Sequence, residues 1–391
     1  MVAPRKRLRG ISLALGFAAL ILLPACAGND NGAGVNEDRR EKAVRTEKTT
    51  QRLSEADRMD VREMVGQMFV VSVGGTEPDY YIEKMVRERN IGGVILFGHN
   101  MRSEEQVKAL TLSLQRLSMR TEPAVPLFVA VDQEGGDIAS TPWVTPQPSA
   151  AEVGSGGDPA RARAVSEEIG AELLRAGVNT NFAPVVDTGF GAAIGNRSYG
   201  EDPDLVSGMG AAAVEGYESA GIASSAKHFP NHGPATADSH KDLPVVDHDM
   251  NTIESFDLPP FRAAVEAGVP MVMAGHLLYP AVDARRPASL SPRWISMLRE
   301  ELGFGGWSSR TTSRWPGRRV GNARAGRGGG RQGRGRSARG LKPAAAAGRR
   351  LRRRGGRRGV GEIPERRLRE SVRRLLLVKE TYGFASRARI R

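Results

Sequence analysis

The chain has 391 residues, a formal net charge of +13 at pH 7, a pI near 10.3 and a single cysteine. This length accommodates one large domain or two of ordinary size, and one cysteine excludes any disulfide bond within the chain. A basic chain can indicate a nucleic-acid or anionic-surface binder, an interpretation that depends on where the charge lies.

Residues 1–26 have the pattern of an export signal. Several basic residues precede an apolar run over 11–23, and Cys26 follows it closely. A run this short, with basic residues before it, predicts a secretion signal rather than a membrane-spanning helix. Cys26 resembles the cysteine of a bacterial lipobox, which implies an exported lipoprotein held at the cell membrane by a lipid on Cys26. A signal cleaved without lipidation, or an uncleaved anchor, stays open. Residues 27–53 are polar and predict a flexible tether.

From residue 54 onward, short apolar runs alternate with longer amphipathic stretches. The apolar runs predict six buried strands, at 67–73, 91–97, 126–131, 181–186, 220–225 and 270–274. The amphipathic stretches predict helices, at 80–89, 103–118, 160–176, 203–220, 261–267 and 294–302. Continuously apolar strands alternating with helices are typical of a parallel sheet that is covered on both faces.

We therefore predict an α/β fold of the (β/α)8 TIM-barrel type over residues 54–306. Polar clusters follow the predicted strands, and barrel enzymes have their active sites at the carboxyl ends of the strands. A doubly wound open sheet is the alternative, although the sequence contains no glycine-rich dinucleotide fingerprint to support it.

The densest polar cluster is AKHFPNHGPATADSHKDLP, residues 226–244, directly after the fifth predicted strand. It contains Lys227, three histidines and the triplet Asp-Ser-His at 238–240, in a loop restricted by glycine and proline. The stretch resembles the signature of the β-N-acetylglucosaminidases of glycoside hydrolase family 3. In that signature, Lys-His-Phe-Pro-Gly-His-Gly is followed shortly by Asp-Ser-His. Asn231 stands where the family usually has glycine.

The resemblance implies an exo-acting retaining hydrolase of terminal β-linked N-acetylglucosamine or N-acetylhexosamine, with a role in peptidoglycan turnover. It assigns the proton donor to His240 and the donor's partner to Asp238. A neighbouring carboxylate would favour the protonated imidazole and orient its ring. A turn or helix-capping triplet is the structural alternative. Phosphorylases of the same subgroup use a similar histidine, so water or phosphate remains open as the acceptor. No cofactor is implied.

The same resemblance assigns four residues to substrate binding: Asp132, Arg197, Lys227 and His228. Arginine and lysine can donate several hydrogen bonds to hydroxyl and acetamido oxygens, while salt bridges among strand-end loops are the structural alternative. His232 and His276 also lie near the predicted site and receive no role. Ser140 stands where the family usually has a second arginine, so one substrate contact is missing. No zinc-type spacing such as His-Glu-x-x-His occurs, so no metal is predicted.

The character of the sequence changes after Gly306. Residues 307–358 contain 17 Arg, one Lys and no acidic residue. Removing these 18 from the total of 57 basic residues leaves 39 against 44 acidic ones, so the basic excess lies entirely in this segment. One interpretation is a disordered insert that binds RNA or another anionic polymer. We favour a second interpretation, in which the segment is read in a shifted frame and no nucleic acid is bound.

Back-translation of residues 307–317 supports the shifted frame. Starting one base earlier gives Val-Val-Val-Thr-Asp-Asp-Leu-Glu-Met-Ala-Gly, an apolar strand that ends in two aspartates. It resembles the family's nucleophile motif, Thr/Ser-Asp-Asp-Leu-x-Met, and puts the nucleophile at the position of Thr311. The chain in its present reading frame, which we call the written chain, is then expected to lack barrel strands 7 and 8 and the nucleophile. A barrel helix is expected again within residues 359–391. An inactive, exported sugar-binding lipoprotein is therefore the alternative to a working glycosidase.

Overall fold

A seven-stranded parallel sheet organises the computed structural model, which describes residues 55–236, 243–310 and 363–384. The strands of this sheet, and the two short strands β4 and β5 that form a separate hairpin, have these bounds in chain order: β1 (Val70–Ser72), β2 (Gly93–Ile95), β3 (Phe128–Val131), β4 (Gln133–Gly135), β5 (Ile138–Ala139), β6 (Thr180–Asn181), β7 (Ala223–Phe229), β8 (Met271–Ala274) and β9 (Trp307–Arg310). Apart from the hairpin, each strand pairs in parallel with the next one along the chain.

Helices separate consecutive strands of the sheet. Their bounds are α1 (Val61–Gln67), α2 (Tyr80–Arg89), α3 (Glu104–Ser118), α4 (Ala150–Ser155), α5 (Pro159–Arg175), α6 (Pro203–Ala220), α7 (Met250–Thr252), α8 (Pro259–Glu266), α9 (Pro280–Asp283), α10 (Pro292–Ser296) and α11 (Glu365–Thr381). Two π-helical turns, Ile253–Asp257 and Met297–Glu301, follow α7 and α10. This strand order with intervening helices confirms the predicted α/β class of the TIM-barrel type.

Local sequence signals explain where the long helices begin. Ser103 accepts a hydrogen bond from the backbone N–H of Gln106 and so caps α3. Asp158 and Asp202 cap α5 and α6 in the same way, each followed by a proline in the first turn. Gly216 then lets α5 and α6 pack closely, because a Cβ at this position would lie only 2.2 Å from the carbonyl oxygen of Arg163.

Apolar side chains fill both the interior of the sheet and its amino-terminal end. The interior layer contains Ile95, Ala130, Phe182 and Met273. At the amino-terminal end, the Phe128 ring stacks on Trp307 at 4.9 Å and meets Phe384 edge-on at 5.3 Å. The carboxyl ends of the strands, where the predicted site residues fall, are thereby carried on a packed scaffold.

The strand β9 was not predicted, and it corrects the expectation that strand 7 is lost from the written chain. Its residues pair with β8 in continuous register, from Met271 with Trp307 to Ala274 with Arg310. Arg299 holds the segment that leads into β9 by donating hydrogen bonds to Phe304 O, Gly306 O and Ser308 Oγ. Sheet pairing uses main-chain groups, so a segment without an apolar pattern can still add a strand. Within the described residues, this sheet has seven strands and no eighth.

The helix predicted within residues 359–391 is present as α11, and it packs against the amino-terminal end of the sheet. Val372, Leu375 and Leu376 are buried there. The ammonium group of Lys379 donates to the carbonyl oxygen of Gly92 at 2.9 Å and lies 4.9 Å from the centre of the Phe128 ring. Among the described helices, none is both long and apolar enough to cross a membrane.

Candidate active site

The predicted substrate-binding residues converge at the carboxyl-terminal edge of the sheet. Asp132 directly follows β3, and Lys227 and His228 lie near the end of β7. Arg197 belongs to a short 3-10 helix, Gly195–Arg197, in the long loop between β6 and α6. Neighbouring parallel strands end at the same edge, so residues far apart in sequence come together here.

A carboxylate that the sequence analysis did not select, Glu134, lies at the centre of this group. Lys227 Nζ is 2.6 Å from Glu134 Oε1 and 2.7 Å from Asp132 Oδ1. Arg197 approaches the same carboxylate as a fork, with Nε 2.7 Å from Oε2 and Nη2 2.8 Å from Oε1. Glu134 therefore fixes the positions of both cations through short, charge-assisted hydrogen bonds.

Burial and charge together determine the ionisation of this cluster. The side chains of Lys227 and Glu134 are only 3% and 6% exposed, whereas that of Asp132 is 34% exposed. Burial alone would raise the pKa of Glu134, but the charges and hydrogen bonds of Lys227 and Arg197 outweigh it and lower the pKa to about 2. Burial would lower the pKa of Lys227, but Asp132 and Glu134 raise it above its ordinary value. Both groups are therefore charged at neutral pH.

His228 is held by Asp187, a second carboxylate that the sequence analysis did not select. Asp187 Oδ2 lies 2.7 Å from His228 Nδ1, and Asp187 Oδ1 accepts hydrogen bonds from the backbone N–H groups of His228 and His232. Asp187 follows a parallel bridge between Val185 and Lys227, which aligns it with the end of β7. An aspartate directly after an apolar run, as in the case of Asp132, was the available sequence signal for Asp187.

Burial keeps the imidazole of His228 neutral at pH 7, although it is paired with Asp187. Burial, with a smaller contribution from the charges of Arg197 and Lys227, outweighs the opposing effect of Asp187 and lowers the pKa of His228 to about 4. Burial would raise the pKa of Asp187, but His228 and the backbone N–H of His232 help to lower it instead. With Nδ1–H donating to Asp187, the other ring nitrogen of His228 is left as a hydrogen-bond acceptor.

Two further residues that were noted in the sequence, His276 and Ser140, have hydrogen-bond partners in the structure. His276, after β8, has its Nδ1 2.8 Å from Ser289 Oγ, and burial together with the charge of Arg310 lowers its pKa. Ser140, at the position of the missing arginine, donates a hydrogen bond to the backbone oxygen of Asp132 at 2.9 Å. The loop after β3 is thus closed by a short side chain where the family has a long cationic one.

Four predicted residues lie outside the described residues: Cys26, Asp238, His240 and Thr311. Asp238 and His240 fall in 237–242, between described segments that end at 236 and resume at 243. Within the described ranges, no group of three or more His, Cys, Asp or Glu side chains is arranged to hold a metal ion.

This arrangement suits recognition of a ligand rich in hydroxyl groups. Asp132 is the most exposed of the charged groups and can accept hydrogen bonds, Arg197 and Lys227 can donate them, and the second ring nitrogen of His228 can accept one. The charges of two carboxylates and two cations balance, so the cluster does not by itself favour a charged ligand.

Comparison with known proteins agrees with this geometry. Residues 60–308 match the family model described as "Glycosyl hydrolase family 3 N terminal domain". The chain is 37% identical to a beta-hexosaminidase of Stenotrophomonas maltophilia, over 61% of this chain and 72% of that protein. It is also 37% identical to beta-hexosaminidase A of Pseudoalteromonas piscicida, over 58% of this chain and 41% of that protein.

A solved structure is similar as well. The glycoside hydrolase family 3 beta-N-acetylglucosaminidase of Paenibacillus sp. FPU-7 superimposes with a TM-score of 0.63 and 37% identity, over 64% of this chain and 49% of that one. The chain thus spans less than half the length of the Pseudoalteromonas and Paenibacillus proteins.

Proposed function

Because the chain belongs to glycosyl hydrolase family 3, we propose that it descends from, and in its unshifted frame acts as, an exo-acting retaining β-N-acetylhexosaminidase. The carrying observation is the convergence of Asp132, Lys227 and Arg197 around Glu134 at the carboxyl edge of the sheet. The similar proteins are a beta-hexosaminidase and a beta-N-acetylglucosaminidase, which supports terminal N-acetylglucosamine as the sugar.

The proposed reaction follows the two-step scheme of a retaining glycosidase. The cluster around Glu134 and the Asp187–His228 pair hold the sugar hydroxyl and acetamido groups. His240, paired with Asp238, gives its proton to the leaving oxygen while a carboxylate attacks the anomeric carbon. In the second step His240 takes a proton from water, which then displaces the enzyme carboxylate from the sugar.

The written chain lacks that attacking carboxylate, because Thr311 stands at its position. Support for a frameshift comes from β9, which ends at Arg310, the residue before Thr311. Ser309 Oγ is buried and has no hydrogen-bond partner among the described residues. A buried, unpaired hydroxyl is unfavourable, and the shifted frame has a valine at this position. Trp307, by contrast, packs well in the written chain, where its ring stacks on Phe128. Within β9, the residue that supports a frameshift is therefore Ser309.

Turnover of an aryl N-acetylglucosaminide tests the proposal. The written chain should release no phenol, and a frame-restored chain should release it. The matched control is the restored chain in which the aspartate at position 311 is changed to asparagine, which should be inactive. Turnover by the written chain would overturn the nucleophile assignment. Adding phosphate decides the acceptor, because a phosphorylase would form the sugar 1-phosphate and a hydrolase the free sugar.

The second candidate is an inactive sugar-binding lipoprotein, favoured by the intact cluster around Glu134 in a chain without the nucleophile. In that case the written chain should bind N-acetylglucosamine, detected by calorimetry, without turning over the aryl glycoside. Export and anchoring at the cell membrane are part of both candidates, whereas a role in peptidoglycan turnover belongs to the hydrolase alone. Incorporation of labelled fatty acid in cells, and its loss in Cys26→Ala, tests the anchor.

A further inference from the structure

Two described segments flank residues 237–242, which carry Asp238 and His240. We name residues 229–236 the first stem and residues 243–248 the second stem. The first stem continues β7, and the second leads to α7. The points at which residues 237–242 begin and end are therefore determined by how the two stems are held.

Asn231 holds the first stem from inside the protein. Its side-chain oxygen accepts hydrogen bonds from the backbone N–H groups of Thr188 and Gly233, at 3.0 and 2.9 Å. Its amide nitrogen donates to Thr188 O at 3.2 Å and to Asp257 Oδ1 at 2.8 Å. Both N–H groups and both acceptor positions of the amide are therefore used. Tyr279 completes the contact by donating from its hydroxyl to Asn231 O at 2.6 Å.

The second stem is held by backbone pairing and by one histidine. Val246 N donates to Leu278 O, and Leu278 N donates to Pro244 O, both at 2.9 Å. Two residues later, His248 Nδ1 lies 2.8 Å from Asp257 Oδ2. The His248 side chain is 23% exposed, whereas that of Asp257 is fully buried.

One buried carboxylate thus holds both stems, since Asp257 Oδ1 binds Asn231 of the first stem and Oδ2 binds His248 of the second. Asp257 ends the π-helical turn Ile253–Asp257, which is continuous with α8 and packed in the core. A carboxylate fixed in this way links the stems more rigidly than two separate contacts would, because neither bond can shift without disturbing the other.

We propose that Asp257, with Asn231 and His248, is a positioning group that fixes where residues 237–242 leave and rejoin the barrel. Given the proposed function, it anchors the two described ends of the segment that contains His240, the proposed proton donor. Asn231 is a feature of this chain, since a glycine at this position, as the family usually has, offers no side chain to bind Asp257 or Thr188.

Hydrogen exchange of the written chain tests the inference, read in peptides that cover the two stems and residues 237–242. Asp257→Ala should raise exchange about tenfold or more in both stems, because one hydrogen bond is lost from each. Asn231→Ala should affect mainly the first stem and His248→Ala mainly the second, each about fivefold. Asp257→Asn should restore exchange to within about twofold of the original, since an amide can accept from Asn231 and donate to His248.

Asp79→Ala is the matched control, because it removes a carboxylate that caps α2 through the N–H of Ile82. It should raise exchange at the start of α2 and leave both stems unchanged. Equal protection of the stems in Asp257→Ala and Asp79→Ala would overturn the inference, as would a failure of Asp257→Asn to restore protection. If Asp257→Ala does not fold, the two single-stem variants decide the question.

A kinetic measurement separates the inference from the proposed function. In the frame-restored chain, Asp257→Ala should lower kcat about tenfold or more and change KM less than twofold, because the donor is displaced while the cluster around Glu134 is not. An unchanged kcat would overturn the positioning role. Absence of turnover from the restored chain itself would defeat the proposed function, and the exchange pattern would then decide the role of Asp257 alone.

Discussion

Glu134→Gln is expected to destabilise the protein strongly, because this carboxylate neutralises two cations at once. Glutamine has the same shape and keeps one acceptor oxygen, but its amide nitrogen would face the donors of Lys227 or Arg197. Lys227 would retain Asp132 at 2.7 Å, while Arg197 would keep no charged partner, only the backbone carbonyl of Ala193 and at most one bond to the neutral amide oxygen. The variant therefore removes charge from the centre of the cluster without creating a cavity.

The magnitude follows from the pKa of Glu134, which is lowered from an ordinary value of 4.5 to about 2. A shift of this size corresponds to about 3 kcal/mol of interaction that favours the ionised form. Breaking a buried ion pair by removing one partner costs about 3–5 kcal/mol. Since Asp132 still partners Lys227, we expect the lower end, a loss of about 3 kcal/mol in the free energy of unfolding at pH 7.

Urea unfolding as a function of pH measures this loss and its sign. A lowered carboxyl pKa stabilises the folded state fully above about pH 4.5, and this stabilisation is lost as the pH falls towards 2. The difference between the original protein and Glu134→Gln should therefore be largest at neutral pH and shrink below pH 4.5. Glu104→Gln is the control, since its pair with Arg175 is exposed and worth less than about 1 kcal/mol. Equal losses in the two variants, or a difference that does not change with pH, would refute the reasoning.

Two further predictions concern buried polar groups. Ser309→Val should raise the free energy of unfolding by about 1–2 kcal/mol, because it removes a buried hydroxyl without a described partner, and a lower urea midpoint would contradict this. Ser308→Val is its control and should not stabilise, since Ser308 Oγ accepts a hydrogen bond from Arg299. His228→Gln should abolish a rise in stability of about 3 kcal/mol between pH 4 and 6.5, measured by thermal unfolding. The rise has this sign because burial lowers the His228 pKa to about 4, so the unfolded chain binds more protons in this range; an unchanged pH profile would contradict it.

The order of strands and helices could be predicted because apolar periodicity is local. The predicted helix at 203–220 coincides with α6, and that at 103–118 differs from α3 by one residue. Most predicted strands were longer than those observed, as for 181–186, where the sheet contains only Thr180–Asn181 and an isolated bridge at Val185. The exception is the strand predicted at 220–225, which is observed at Ala223–Phe229. Strand β9 was missed because its side chains carry no apolar pattern, while its pairing with β8 depends on the backbone.

Four predicted substrate-binding residues meet at one edge, but the sequence did not reveal what holds them there. Glu134 was visible within Asp-Gln-Glu-Gly-Gly, yet its partner Arg197 lies 63 residues away and its partner Lys227 lies in a different strand, β7. Asp187 likewise acts on His228 across 41 residues. A buried carboxylate that orients cations or a histidine is recognised only by which groups surround it, and that depends on the folded arrangement of several loops.

The Arg-rich segment lies after every residue of the proposed substrate-binding cluster and at the position of the proposed nucleophile. Asp132, Glu134, Arg197 and Lys227 all precede residue 307, and the ion pairs that join them lie between β4, β7 and the loops after β3 and before α6. The helix α11, which follows the segment, packs against the opposite end of the sheet, near Gly92 and Phe128. The proposed frameshift between them would therefore remove the proposed nucleophile without removing a described member of the cluster around Glu134. Affinity for N-acetylglucosamine and turnover of its glycosides should accordingly be lost independently of each other. Glu134→Gln should weaken the affinity in both the written and the restored chain. The written and restored chains should differ from each other in turnover alone.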